Sequence, residues 1–259
     1  MTPVDHLWTN AAAVAVLMTV VWLISVFVRN ASIIDIAWGP GFAVIAWTSF
    51  ALDDSTGVSR WLLPVLATAW GLRLGIYLAC RNLGKPEDFR YQAMRDHHGP
   101  AFAWKSWYRV FQLQAVIMWV VSLPLQMGIA HSTIDWQIWH VVGCVIWSVG
   151  FLFESVGDFQ LARFKRNPEN AKRVMDRGLW RYTRHPNYFG DFLIWWGFWC
   201  VAAAEPAARW TIISPVVMSI FLIRVSGVPM LETALLKRKD GYAHYVEKTR
   251  AFFPWWPRA

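Results

Sequence analysis

A short basic and aromatic segment carries most of the side chains that could bind a ligand. The run from Arg181 to Asp191 reads Arg-Tyr-Thr-Arg-His-Pro-Asn-Tyr-Phe-Gly-Asp and leads into an apolar stretch. Pro186 suits the first turn of a helix, because the N–H that proline lacks would be unpaired there. Such a helix start presents N–H groups and a positive dipole end to an anion. Arg184, Asn187 and Asp191 would then lie near one face of the helix.

The residue types around this segment suit a phosphorylated cofactor. Arg and Lys could hold phosphates, Asn and Asp could bind amide or ribose groups, and Tyr and Trp could stack on rings. The chain has no GxGxxG after a strand and no GxxxxGK[ST], so we expect a nucleotide to bind between helices. No metal site is predicted, because His97 and His98 lack a third ligand and the three cysteines have no CxxC spacing.

The elements that must position these residues are apolar helices. Hydrophobic residues make up 56 % of the 259 residues and charged residues only 16 %, whereas a soluble domain has about a quarter charged residues. A bilayer core of roughly 30 Å needs about 20 apolar residues in a helix. We therefore predict an all-α integral membrane protein with seven transmembrane helices in one domain, residues 1–259. The apolar runs are 8–28, 36–52, 61–80, 111–130, 137–155, 187–204 and 210–230.

The basic residues predict how these helices are oriented. Of the 25 Lys and Arg residues, 21 lie in the segments 81–110, 156–186 and 224–258. All three segments follow odd-numbered runs, so with seven spans they share one face. Lys and Arg accumulate in cytoplasmic loops, which predicts the N-terminus outside and the C-terminus in the cytoplasm. Because such loops account for the net charge of +8, membrane lipids are expected partners and nucleic acid is not.

Several ionisable residues do not suit an apolar span. Asp35 opens the second run, Arg73 lies inside the third, and Glu154 and Asp158 close the fifth. Ionisable groups at membrane depth are costly and usually face a partner or a cavity. Two interpretations follow: a structural ion pair, for instance between Asp35 and Arg73, or a polar pocket within the helix bundle.

The run 181–191 resembles the signature of a membrane superfamily that contains steroid 5-alpha-reductases, sterol carbon-14 reductases and isoprenylcysteine carboxyl methyltransferases. The length of the chain and its seven apolar runs are similar to the steroid 5-alpha-reductase type, in particular to bacterial membrane reductases. Other segments that carry the resemblance are Gly71–Gly75, Asn82–Lys85, Gly157–Asp158, Lys165, Leu231–Glu232, Gly241–Tyr245 and Phe253–Pro254.

The resemblance implies NADPH-dependent reduction of a carbon–carbon double bond conjugated to a ketone, on an apolar substrate such as a 3-oxo-Δ4 steroid. It also implies a bacterial inner membrane with the cofactor on the cytoplasmic side. Asp191 stands where the steroid reductases carry a Glu. The residues that match the family's cofactor-contacting region are Asn82, Lys85, Asp158, Lys165, Arg173, Arg184, His185, Asn187, Tyr188, Asp191, Trp195, Arg224, Glu232 and Tyr245.

The implied reaction needs a group that stabilises the substrate ketone. Hydride transfer to the β carbon puts negative charge on the ketone oxygen, and protonation of the α carbon completes the reduction. One donor at that oxygen is worth roughly 3–4 kcal/mol. The Gln-Glu pair that contacts the ketone in the animal enzymes is absent, and Asp35 and Trp38 occupy that neighbourhood. We therefore expect Asp35 and Trp38 to bind substrate, and Asp35, Tyr91 and Asp191 to be catalytic.

Two other classes of function stay open. A membrane methyltransferase of the isoprenylcysteine carboxyl methyltransferase type would use S-adenosylmethionine, and it shares the Arg-His-Pro and Tyr-x-Gly elements. A non-catalytic membrane receptor or scaffold is the second alternative. A phosphate-rich cofactor is favoured over the zwitterionic methyl donor by the basic residues Lys165, Arg173, Arg177, Arg181 and Arg184.

Overall fold

The computed structural model describes residues 2–225 and 227–258, and within them every side chain except those of residues 229, 230, 234 and 237. None of the described residues lies in a strand, which confirms the predicted all-α class. The α-helices of the described residues are α1 (Pro3–Val28), α2 (Ile33–Ala51), α3 (Val58–Asn82), α4 (Phe89–His98), α5 (Phe102–Ser106), α6 (Leu113–Val121), α7 (Leu123–Ala130), α8 (Ile138–Lys165), α9 (Pro186–Ala202), α10 (Ile213–Ile220), α11 (Val228–Arg238) and α12 (Tyr242–Lys248).

Five helical stretches of the described chain are long and apolar enough to cross a membrane. A sixth candidate consists of two stretches, Phe89–Val121 and Leu123–Ala130, which are bent by 47° at a short break. These stretches are typical of an integral membrane protein. The five are Pro3–Val28, Ile33–Ala51, Val58–Asn82, Ile138–Lys165 and Pro206–Val225.

The structure thus has five or six candidate spans where the sequence predicts seven. The bend in the fourth run begins at Leu123 and Pro124, where proline cannot donate a helical hydrogen bond. The sixth run is α9, which has 17 residues. At 1.5 Å per residue, such a helix is about 26 Å long, a little less than a bilayer core. Seven spans and their orientation stay predictions.

The residues form two compact units. The first comprises Met1–His140 and Val201–Thr211, and the second comprises Val141–Cys200 and Ile212–Ala259. The single domain predicted from the sequence stays a prediction, because two compact units can belong to one domain or to two.

Helices α2 and α3 of the first unit cross at a pair of glycines. A β carbon on Gly39 would lie 2.5 Å from the carbonyl oxygen of Gly71, a distance at which the two atoms would clash. Glycine therefore lets the two backbones touch. Next to this crossing, Trp38, Phe42 and Trp70 form a row of aromatic contacts with ring centroids 5.6 and 5.7 Å apart.

Helices α8 and α9 of the second unit also cross at glycines. A β carbon on Gly190 would lie 2.5 Å from the backbone nitrogen of Glu154 and 2.6 Å from the carbonyl oxygen of Gly150. Gly157, seven residues after Gly150, faces Pro186 at the start of α9. This close approach sets the first turns of α9 against the part of α8 that carries Glu154 and Asp158.

Candidate functional site

The segment before α9 is fastened to α8. The indole Nε1 of buried Trp180 donates to the carbonyl oxygen of Gly157 at 3.0 Å. The backbone nitrogen of Leu179 donates to Oε1 of Gln160, also at 3.0 Å. Helix α9 then begins at Pro186, which confirms the predicted role of that proline as a first-turn residue.

Asp158 and Asn187 form a polar pair at this junction. Asp158 is only 4 % exposed. The side-chain Nδ2 of Asn187 donates to Oδ1 of Asp158 at 3.1 Å, and its Oδ1 accepts from the backbone nitrogen of Tyr188 at 3.1 Å. Both ends of the amide are therefore oriented. The structure brings together two residues that the resemblance assigns to the cofactor.

Arg184 is buried and bound on several sides by the protein. Its Nε donates to Oε1 of Glu232 at 2.7 Å. Its Nη1 donates to the carbonyl oxygens of Val246 at 3.1 Å and Thr249 at 2.5 Å, at the C-terminal end of α12. Its backbone nitrogen donates to the carbonyl oxygen of Arg250. A cation is favoured at a helix C-terminus, so Arg184 caps α12 while it neutralises Glu232.

His185 shares the carboxylate of Glu232 with Arg184. Since a carboxylate only accepts, Nε2 of His185 donates to Oε1 of Glu232, at 3.1 Å. The imidazole also stacks on the ring of Tyr188, with centroids 5.6 Å apart and planes at 7°. Burial raises the pKa of Glu232, but the hydrogen bonds from His185 and Arg184 and the charge of Arg184 outweigh it and lower the pKa to about 2. Glu232 is therefore ionised at neutral pH.

The C-terminal segment, residues 245–255, is bound along the segment that precedes α9. Thr183 Oγ1 donates to the carbonyl oxygen of Phe252 at 2.7 Å, and the backbone nitrogen of Trp255 donates to the carbonyl oxygen of Tyr182 at 3.0 Å. The hydroxyl of Tyr245 donates to a carbonyl oxygen of the same segment, and burial raises the pKa of this phenol. The C-terminal segment thus holds the run 181–191 in place.

The remaining residues predicted to bind cofactor in this unit lie on several elements. Asp191 is half-buried on α9, one turn after Asn187, and Trp195 is fully buried one turn further on. Arg224 is exposed in a π-helical turn, Phe221–Val225. Seven of the eight basic residues in 156–186 are exposed, and Arg184 is the buried one. The exposed ones are Arg163, Lys165, Arg166, Lys172, Arg173, Arg177 and Arg181.

The first unit holds a second polar cluster, around Asp35. Its Oδ1 accepts from the hydroxyl of Tyr91 at 3.2 Å, and its Oδ2 lies 3.3 Å from Nη2 of Arg90. The Tyr91 hydroxyl accepts in turn from Nε2 of Gln114 at 3.4 Å. Two predicted catalytic residues, Asp35 and Tyr91, are therefore in contact. Arg90 and Gln114 belong to this cluster although no sequence motif indicates them. The visible signal for Gln114 is a polar amide within the apolar run 111–130, and Gln112 and Gln126 share it.

Three further predicted residues lie in the first unit. Trp38 follows Asp35 by one turn of α2 and packs edge to face on Phe42. Asn82 ends α3, where its Oδ1 accepts from Nε of Arg81 at 3.0 Å. Lys85 is exposed in the turn that follows. The roles assigned to all these residues by resemblance stay predictions.

Comparisons with known proteins extend over nearly the whole chain. An uncharacterized protein of Schizosaccharomyces pombe is 23 % identical over an alignment of 282 positions. The alignment includes 95 % of this chain and 80 % of the yeast protein. No solved structure matches the chain. The family described as a protein of unknown function, DUF1295, matches residues 21–249. The chain therefore belongs to the DUF1295 family.

Proposed function

We propose that this membrane protein uses NADPH to reduce the carbon–carbon double bond of an apolar enone, with a 3-oxo-Δ4 steroid as the first substrate to test. The DUF1295 family is associated with steroid 5-alpha-reductase-like membrane proteins, which supports this choice. The observation that carries the proposal is the hydrogen bond between buried Asp158 on α8 and half-buried Asn187 at the start of α9, because Asn187 lies inside the run that resembles the reductase signature.

The residues present suit a phosphorylated dinucleotide. Exposed Lys and Arg side chains of the segment 163–181 offer charge for phosphates. The Asp158 carboxylate can accept hydrogen bonds from hydroxyl or amide groups, and Asn187 can both donate and accept. Arg184 has a different part in this proposal, because its Nε and Nη1 are engaged by Glu232 and α12. Its proposed role is to hold α12 and Glu232 against the start of the run 184–191.

The proposal includes seven spans, with the N-terminus outside and the segment 156–186 on the cytoplasmic side of a bacterial inner membrane. The positions of the 21 basic residues support this topology. Helix α9 serves as the sixth span, since a helix of about 26 Å crosses a core of roughly 30 Å with slight thinning of the bilayer.

In the proposed reaction, Asp35 holds Tyr91 beside the substrate ketone, and Trp38 contacts the apolar body of the substrate. When bound, NADPH supplies the hydride that the β carbon accepts. Negative charge then develops on the ketone oxygen, for which the Tyr91 hydroxyl, which donates to Asp35 when no substrate is bound, is the proposed donor. Preorganised donors at such a position lower the barrier because they need no rearrangement during the reaction.

The direct test is NADPH oxidation by the purified protein with a panel of apolar enones, with product masses measured. A ligand that binds only the folded state raises apparent stability, so thermal shifts with NADPH, NADH and S-adenosylmethionine identify the cofactor. Stabilisation by S-adenosylmethionine alone would favour the methyltransferase, and no response to any of the three would favour a receptor or scaffold.

Asp158→Asn is expected to weaken NADPH binding about tenfold or more while the protein stays folded. The amide keeps the shape of the side chain but removes the charge that accepts from Asn187 and from the cofactor, and hydrogen bonds to charged groups are worth roughly 1.5–3 kcal/mol. Titration calorimetry in detergent measures the dissociation constant. Glu169→Gln, an exposed acid in the same loop, is the control. An unchanged dissociation constant for Asp158→Asn would contradict the assignment of Asp158 to the cofactor.

Asp35→Asn is expected to leave NADPH binding intact and to lower turnover with an enone by about tenfold. The amide breaks the ion pair with Arg90 and offers Tyr91 a weaker acceptor. Steady-state kinetics and NADPH titration separate the two effects. Asp54→Asn, an exposed acid after α2, provides the comparison. Loss of cofactor binding in Asp35→Asn would contradict the assignment of Asp35 to the substrate.

A further inference from the structure

The aromatic tail, residues 252–258, exposes three large side chains although its backbone is held in place. Phe253, Trp255 and Trp256 are 59 %, 66 % and 70 % exposed. The backbone nitrogen of Trp255 donates to the carbonyl oxygen of Tyr182 at 3.0 Å, which fixes the tail against the segment before α9. A cluster of exposed aromatic rings on a fixed backbone is typical of a surface that contacts a membrane or another molecule.

Ring contacts set the level of the aromatic tail relative to α9, the proposed sixth span. Phe253 packs edge to face on Phe189 and Phe192, in the first two turns of α9, with ring centroids 6.1 and 5.9 Å apart. Trp256 packs on Tyr182, four residues before α9 begins, with centroids 5.4 Å apart. With α9 in the bilayer, Phe253 lies level with the edge of the hydrocarbon core and Trp256 lies level with the lipid headgroups, where tryptophan is enriched.

The charged residues next to these rings are all basic. From Lys248 to Arg258 the sequence has three basic residues and no acidic residue, and Lys248, Arg250 and Arg258 are all exposed. The backbone nitrogen of Arg258 donates to the carbonyl oxygen of Lys248 at 2.9 Å, which brings the two ends of this basic stretch together. An anionic bilayer attracts each basic residue at its surface by about fivefold. Aromatic rings flanked by positive charge therefore suit an anionic lipid headgroup.

We propose that the aromatic tail is a membrane anchor, in which Trp255 and Trp256 lie among the lipid headgroups and the three basic residues bind anionic headgroups. The inference rests on the proposed placement of α9 as a span and is independent of the proposed reaction. Since Thr183 donates to the carbonyl oxygen of Phe252 at 2.7 Å, the anchor also holds the run 181–191 at the membrane surface. Anionic lipid is therefore expected to strengthen the attachment of the tail to this run.

The test is amide hydrogen exchange of the full chain in nanodiscs of phosphatidylcholine alone and of phosphatidylcholine with phosphatidylglycerol. The amides of Trp255 and Arg258 report on the tail, and the amide of Arg184, which donates to the carbonyl oxygen of Arg250, reports on its attachment. Anionic lipid should slow the exchange of these three amides about tenfold or more, because it stabilises the closed form of the segment. Inorganic phosphate added to the neutral nanodiscs should not reproduce this slowing.

Two variants separate the charges of the anchor from its rings. The first neutralises the basic residues with Lys248→Gln, Arg250→Gln and Arg258→Gln. Its exchange rates should differ by less than about twofold between the two bilayers, because the attraction to anionic lipid is lost. The second, Trp255→Ser with Trp256→Ser, should speed exchange of the tail in both bilayers. Trp136→Ser, which replaces an exposed tryptophan of the first unit, is the control and should leave exchange of the tail unchanged.

The outcomes decide between lipid and other partners of the aromatic tail. Equal exchange of the wild-type tail in the two bilayers, or an undiminished lipid effect in the neutralised variant, would overturn the anchor. Slowing by inorganic phosphate alone would assign the basic residues to a free anion, and slowing only when two copies share a nanodisc would assign the rings to a second copy. The experiment uses neither NADPH nor an enone, so failure of the anchor and failure of the proposed reaction are distinguishable.

Discussion

Replacing Arg184 by methionine is expected to lower the free energy of unfolding by about 3 kcal/mol, since breaking a largely buried ion pair from one side leaves the Glu232 carboxylate without its cation. Glu232 would keep only the hydrogen bond from His185, and the carbonyl oxygens of Val246 and Thr249 would lose their donor. The midpoint of thermal unfolding, followed by tryptophan fluorescence in detergent, should fall by roughly 10 °C.

Arg177→Met is the matched control, because Arg177 is an exposed arginine of the same segment. Its effect should stay within about 0.5 kcal/mol. Arg184→Lys should restore little of the lost stability. The planar guanidinium of Arg184 donates to Glu232 and to two carbonyl oxygens at once, and the single ammonium of lysine cannot reach all three. Equal stability of Arg184→Met and wild type would show that these contacts contribute nothing to folding.

Gly190→Ala is expected to destabilise the second unit by about 3 kcal/mol or more. The new methyl group would lie 2.5 Å from the backbone nitrogen of Glu154 and 2.6 Å from the carbonyl oxygen of Gly150. Backbone atoms cannot rotate out of the way as a side chain can, so α8 and α9 would have to separate. Reduced yield of folded protein in detergent and a lowered unfolding midpoint measure the effect.

Gly157→Ala tests the same helix crossing at a position where an added methyl group has more space. There the β carbon would meet the nearest atom, on the ring of Pro186, at 3.2 Å, so a shift of a few tenths of an ångström suffices. Its cost should therefore be clearly smaller than that of Gly190→Ala. Equal costs would mean that loss of glycine itself, rather than the clearance between α8 and α9, sets the penalty.

The elements of the fold are predictable where the signal is local. The apolar runs identify the long helices, and the start of α9 at Pro186 follows from the missing N–H of proline. The bend at Leu123–Pro124 has the same origin. Such features depend on a few neighbouring residues, so the printed sequence suffices to find them.

The contacts of Arg184 and Tyr91 could not be predicted from local sequence patterns. Arg184 meets Glu232 48 positions later, and Tyr91 meets Asp35 56 positions earlier. No periodicity encodes a contact across such a distance, because it depends on how whole helices pack. A basic residue in a loop is typical of topology or phosphate binding, so a buried helix cap was not the expected role of Arg184.

The attachment of residues 245–255 to the segment before α9 has a consequence for biosynthesis. The run 181–191 emerges from the ribosome well before Phe252, which accepts from Thr183, and Trp255, which donates to Tyr182, have been translated. Its native hydrogen bonds can therefore close only after about sixty further residues have been translated. Contacts of this sequence separation form slowly, so ordering of the run 181–191 is expected to be among the last events of folding, later than insertion of the preceding helices.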